Sequence, residues 1–335
     1  MRQLRWGIGT IATLMALTAL QASPVAAEHG HQNLPDSIAL PNGWRPEGIT
    51  TDGKFVYSGS LADGSIFRAN VRTGVGKVLA TGATGRMAAG LDFDKRRDLL
   101  WVVGGPTGEI RAQDADSGKV VATYEFPSTT AGGRFLNDVV VTHDAVFATD
   151  SFNQELAVIP LKHGHGHGKS QGHSHGHGLP PASAATTLPL TGDVAFQAGF
   201  NLNGIVESRH MLISVQSNTG LLFRINERTG VSRTINLHGD LVTAGDGLEL
   251  DGRLLYVGRN SGEIGIKGEV DAVKLSHSLT SGNVVATITD PTFDTPTTLA
   301  LARHSLFVIN ARFASAPVPT PDTPYSITRV DALHH

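Results

Sequence analysis

The sequence predicts an all-β fold, a six-bladed β-propeller with four-stranded antiparallel blades around a central channel, and three observations carry that expectation. One grammar recurs six times: a short apolar strand, a tight turn, a second apolar strand, then two more strands. The spacing of the recurrences clusters near 45 residues, the length of a four-stranded blade. The composition, with 39 glycines and only 6% aromatics, suits many short strands joined by turns.

In chain order, the first residues carry Arg2 and Arg5, an apolar run GIGTIATLMALTAL and the small residues Val25 and Ala27. That order reads as a cleavable signal peptide over residues 1–27, and it places the mature protein in the periplasm or outside the cell. The apolar run of about fourteen residues is short for a membrane span. No later segment reads as a span, so no membrane partner is expected after cleavage. The rest, 28–335, reads as one domain.

The repeats open at RPEGITTDGKFVYSGS, MAAGLDFDKRRDLLWVVGG, FLNDVVVTHDAVFATDS, NLNGIVESRHMLISVQS, AGDGLELDGRLLYVGRN and DTPTTLALARHSLFVINAR. Anchors at Gly48, Gly90, Asp138, Gly204, Gly247 and Thr297 stand 42, 48, 66, 43 and 50 residues apart. The long interval holds a His/Gly-rich insertion, 162–187; removing about 25 residues restores the period. Asp52-Gly53, Asp63-Gly64 and Asp251-Gly252 read as hairpin turns. Strands at Ser37–Leu40 and Tyr325–Val330 are expected to share the last blade and close the ring.

The chain has no cysteine, which removes thiol catalysis, cysteine-ligated zinc and disulfide stapling. A net charge of −3 without a clustered basic face argues against a nucleic-acid partner. A monomer that binds a small molecule is expected.

The residue opening each blade's first strand faces the channel mouth. In register these are Glu47, Ala89, Asn137, Asn203, Asp246 and Pro296. Singly, Asn and Asp at such places cap turns. Four oxygen-bearing side chains in one register instead suggest a hard-oxygen site for a divalent cation, calcium first, with zinc or manganese as alternatives. Glu47 is the most informative, because glutamate is a poor turn residue.

The segments RPEGI, RFLND, LNGIVES and GDGLEL, in this order and spacing, resemble the metal-site segments of the gluconolactonase/regucalcin (senescence marker protein) family. The resemblance implies a six-bladed propeller that holds a divalent cation in its channel and hydrolyses sugar lactones. It implies metal ligation by Glu47, Asn203 and Asp246, and substrate contacts by Asn137 and Arg134. In blade three this chain departs from the family pattern: Arg134 stands three residues before Asn137 rather than two, and Val139 replaces a glycine.

The chemistry expected is ester hydrolysis, with Asp246 as general base. No G-x-S-x-G elbow supports a serine mechanism, and His143, His210, His238, His277 and His304 lie mostly beside hairpin turns. The rival reading is a non-catalytic, metal-stabilised propeller that binds a ligand or a protein. The tract HGHGHGKSQGHSHGHG, which follows Leu156–Leu161 as an expected outer strand of the third blade, cannot bury apolar surface and reads as a rim loop. Its His163, His165, His167, His173, His175 and His177 form an accessory site for zinc, nickel or copper in one reading, and a polar insertion in the other.

Overall fold

The computed structural model describes residues 34–128, 130–161, 178–260, 268–313 and 318–333. The signal segment and the six histidines of the tract lie outside the described residues.

Alternating and continuous apolar runs separated by turns fold into six small antiparallel sheets arranged as a ring of blades. Blade one comprises strands Pro46–Thr51, Phe55–Ser60, Ile66–Asn70 and Gly76–Ala80. Blade two comprises Leu91–Asp94, Leu99–Val103, Glu109–Asp114 and Val120–Glu125. Blade three is Leu136–Val141, Ala145–Asp150, Glu155–Pro160 and Thr186–Pro189, and blade five is Gly245–Asp251, Leu254–Arg259, Glu269–Leu275 and Gly282–Ile288. Blade four, Leu202–Ser208, Met211–Gln216, Leu221–Asn226 and Val231–Ile235, gains a two-residue fifth strand, Thr191–Gly192, parallel to its outer edge. Blade six takes Pro296–Ala302, Ser305–Asn310 and Tyr325–Asp331 from the end of the chain and Ser37–Leu40 from its beginning, paired from Ser37↔Thr328 to Leu40↔Tyr325.

Burial explains the residue patterns. Second strands such as Leu99–Val103 (LLWVV) are buried along their whole length, because adjacent blades cover both faces. The outer strand Gly282–Ile288 alternates, since one face meets solvent. The described core divides into six clusters, one at each blade-to-blade junction. Between blades six and one, Ile38, Phe307 and Ile327 pack on Ile49, Val56 and Phe67; between two and three, Trp101 and Tyr124 pack with Leu136, Val146 and Ile159. The other four junctions are filled likewise.

Three expectations need correction. Leu156–Leu161 holds the third strand of blade three, not an outer one, because Thr186–Pro189 pairs outside it from Glu155↔Pro189 to Val158↔Thr186. The insertion therefore ends before 187. Ahead of that strand come a short 3-10 turn at Ala182–Ala184, Leu179 and Ala185 against the blade two–three core, and Tyr124 Oη donating to the Pro180 carbonyl at 2.9 Å. The third concerns register. In five blades the first strand bulges after its opening residue, with shifts between Pro46/Ile49, Leu136/Val139, Leu202/Ile205, Gly245/Leu248 and Pro296/Leu299. The bulge frees Glu47, Asn137, Asn203 and Asp246 from the ladder. In blade six the equivalent residue is Thr297, one beyond Pro296, and its hydroxyl donates to the Glu47 carbonyl at 2.8 Å.

Candidate functional site

Glu47, Asn137, Asn203 and Asp246 line one cavity of about 440 Å³ at an end of the channel. The bulges turn these side chains toward the axis, and small residues behind them let adjacent inner strands nearly touch. A Cβ on Gly48 would sit 2.0 Å from the Ala89 carbonyl oxygen, and one on Gly204 would sit 2.4 Å from that of Asp246. In blades one, four and five the close spacing that draws these oxygens together is therefore a glycine effect, while Asp138 holds the equivalent place in blade three.

A second layer orients these groups. Asn137 Nδ2 donates to Ser151 Oγ at 2.9 Å, and Asn203 Nδ2 donates to Ser217 Oγ at 3.2 Å. Each serine passes its own proton to a backbone carbonyl, Ser151 to Leu202 and Ser217 to Gly245, so it can only accept from the amide. That fixes which end of each amide is nitrogen. Asn260 Nδ2 donates to Asp246 Oδ2 at 2.7 Å. Ser151, Ser217 and Asn260 each follow their partner by 14 residues, at the end of the neighbouring strand. A polar residue at that constant offset in three repeats was the signal by which the sequence could have revealed them.

What remains unsatisfied is specific. Glu47 Oε2, Asn203 Oδ1 and Asp246 Oδ1 are buried oxygens without a hydrogen-bond partner. An orphaned buried oxygen is costly, and three facing one cavity form a set of hard acceptors that fits a divalent cation. Electrostatics agree. Burial first, then the neighbouring Asp246 and Asp138, hold the Glu47 carboxyl well above the usual carboxylate range. Burial raises Asp246 to about 7, eased by the Asn260 amide and by that of Asn203 close by. Without a counter-charge these two acids cannot both ionise cheaply. Among the described residues no group of three or more His, Cys, Asp or Glu side chains is placed to hold a metal, so carboxamide oxygens must complete the set.

Arg134 lies elsewhere. Its side chain is buried beside Asp150 (Nε–Oδ2 3.4 Å) and Glu155 (Nη2–Oε1 2.6 Å), and it does not line the cavity. The five isolated histidines His143, His210, His238, His277 and His304 are all exposed, and none lines it either.

A second cavity, about 200 Å³, which no pattern in the sequence announces, lies farther along the inner strands, and its lining includes Thr50, Asp92, Asp138, Glu207 and Glu249. Asp92 Oδ2 accepts from Val141 N at 2.7 Å and Asp138 Oδ2 from Ile205 N at 3.2 Å, each carboxyl reaching the next blade's inner strand. Burial raises Asp92 to about 6, Asp138 to about 7 and Glu249 to about 8.

Fold and bulge pattern thus define a six-bladed propeller with a polar, oxygen-rich channel mouth. No protein-family model matches the sequence, and neither does any curated protein. Solved structures do match the fold. The allergen Mala s 1 of Malassezia sympodialis aligns over 90% of this chain and 99% of its own, with TM-score 0.64 and 14% identity. A luciferin-regenerating enzyme aligns over 89% and 96%, with TM-score 0.57 and 12% identity. A gluconolactonase from Xanthomonas campestris aligns over 88% and 89%, with TM-score 0.53 and 15% identity. At such identities these likenesses establish the propeller and nothing finer.

Proposed function

We propose that this chain is an exported, divalent-metal-dependent hydrolase of a lactone or related small ester, working at the channel mouth. The observation that carries this reading is the set of three orphaned oxygens on Glu47, Asn203 and Asp246. Those residues would hold the ion, calcium by the hardness of the donors. When bound, it supplies Lewis-acid polarisation of an ester carbonyl and a lower pKa for water. A distant fold neighbour that is a gluconolactonase is consistent with this chemistry.

The protein's own groups would do the rest. Asp246, held at Oδ2 by Asn260, keeps Oδ1 toward the cavity. There it takes a proton from the attacking water and returns it to the alkoxide released when the ring C–O bond breaks. Asn137, held by Ser151, faces the same space as a polar contact for water or substrate. Turnover of a lactone panel with and without calcium, zinc or manganese tests the reading. The expected result is ion-dependent hydrolysis that falls by about 100-fold or more in Asp246→Asn. An ion-loaded protein that hydrolyses nothing in the panel is a binding module instead.

A further inference from the structure

The wall of the same cavity is apolar where the floor is polar. Leu61, Phe135, Phe200 and Phe313 line it. Phe135 precedes the first strand of blade three, Phe152 follows its second strand, and Phe200 precedes blade four. Their rings pack mutually, with centroids 5.3 Å apart for Phe135–Phe200, 5.1 Å for Phe152–Phe200 and 6.0 Å for Phe135–Phe152. Yet Phe152, Phe200 and Phe313 stay 41%, 45% and 51% exposed. Phenylalanines gathered from separate loops and left open to water at a cavity mouth are an unfinished apolar surface.

The polar side chains of the lining give the complementary half. Asn137 and Asn203 donate to serines, Ser217 to the Gly245 carbonyl, Asn218 to the Ala198 carbonyl and Asn201, and Asn260 to Asp246. Each of these groups thus has at least one N–H or O–H already turned into the protein, and the free oxygens of Glu47, Asn203 and Asp246 are the ones that would hold the ion. Arg134, the cation expected to grip a sugar, is held by Asp150 and Glu155. A polyhydroxy ring entering here would shed water from several hydroxyls and gain few partners in return.

Resting on the hydrolase reading above, we propose that the site selects lactones or esters bearing an alkyl or aryl substituent, with the acyl oxygen at the Glu47–Asn203–Asp246 end and the apolar tail against Phe135, Phe200 and Phe313. Each methylene that reaches the phenylalanines then tightens binding about fourfold.

The test separates binding from turnover. Calcium-loaded protein is titrated calorimetrically with two lactams that resist hydrolysis, a δ-valerolactam carrying a heptyl chain and gluconolactam, in wild type and Phe200→Ala, with the fold checked by circular dichroism. The alkyl lactam should bind at least tenfold more tightly, and Phe200→Ala should cut that preference about fivefold. Equal or tighter binding of gluconolactam, or a preference unmoved by Phe200→Ala, overturns the selectivity. Turnover of the matching lactones reports on the reading beneath it. Tail-selective binding without turnover removes the hydrolase and leaves the ligand class standing. Turnover that favours the polyol lactone keeps the hydrolase and removes the selectivity. If neither lactam binds, the selectivity falls.

Discussion

At the scale of single residues, the mouth carboxyls store a cost that a cation would relieve. Burial and repulsion raise Glu47 well above its ordinary value, so ionising it in the metal-free fold costs more than it does in water. Glu47→Gln removes that cost together with the charge of a ligand. Its metal-free melting temperature at pH 7 should therefore equal or exceed that of wild type, while the rise that calcium gives wild type should largely vanish; melting curves with calcium and with chelator decide it. A wild-type-sized calcium response in this variant would exclude Glu47 as a ligand. Ser217 acts one layer back, presenting Asn203 Oδ1 by accepting from Nδ2. Ser217→Ala should weaken calcium binding about tenfold in calorimetric titration and leave the circular dichroism spectrum unchanged. The sequence revealed the four oxygen-bearing side chains of the mouth because they break an apolar register four times. It hid Ser151, Ser217 and Asn260, which sit at strand ends where polar residues attract no notice.

At the scale of elements, the bulge is the device that makes a site from a repeat. It takes one residue out of the ladder in five blades, and in blades one, four and five the glycine after it lets the neighbouring strand come close. Gly204→Ala would drive a Cβ against the Asp246 carbonyl, which sits on a first strand packed from both sides. Denaturant unfolding should show a loss of about 1–3 kcal/mol, with a weaker cation affinity than the stability loss alone explains. Unchanged stability would mean that the inner strands have slack. Blade number, turn positions and the closing pair Ser37–Leu40 with Tyr325–Asp331 were legible because period and alternation are local properties. The register of blade six was not: Pro296 and Thr297 are adjacent, and only the pairing Pro296↔Asn310 shows which one opens the ladder. The fourth strand of blade three was also hidden, since Thr186–Pro189 is short, partly exposed and separated from its partner by the histidine tract.

At the scale of the whole molecule, six junction clusters and one N-terminal strand close a ring that no disulfide secures. Inside it, Asp92, Asp138 and Glu249 face a common cavity with Glu207 beside them, while Asp94 and Asp251 add negative charge nearby. Their folded pKa values of about 6, 7 and 8 exceed those of unfolded carboxyls, so between about pH 4 and pH 8 the folded state holds more protons than the unfolded one. Stability from this cluster is greatest below about pH 4 and declines as pH rises through the folded values. Melting temperature measured in chelator should accordingly fall from about pH 5 to about pH 8.5, and Glu249→Gln should flatten the upper part of that fall; a flat wild-type profile would contradict it. At the other end of the channel, the mouth carries the central prediction. Diffraction from manganese-soaked crystals, recorded for anomalous signal, locates the ion without reference to activity. One channel peak per chain is expected, within about 2.1–2.6 Å of oxygens from Glu47, Asn203 and Asp246. A channel free of signal, or a peak held by other residues, would contradict it.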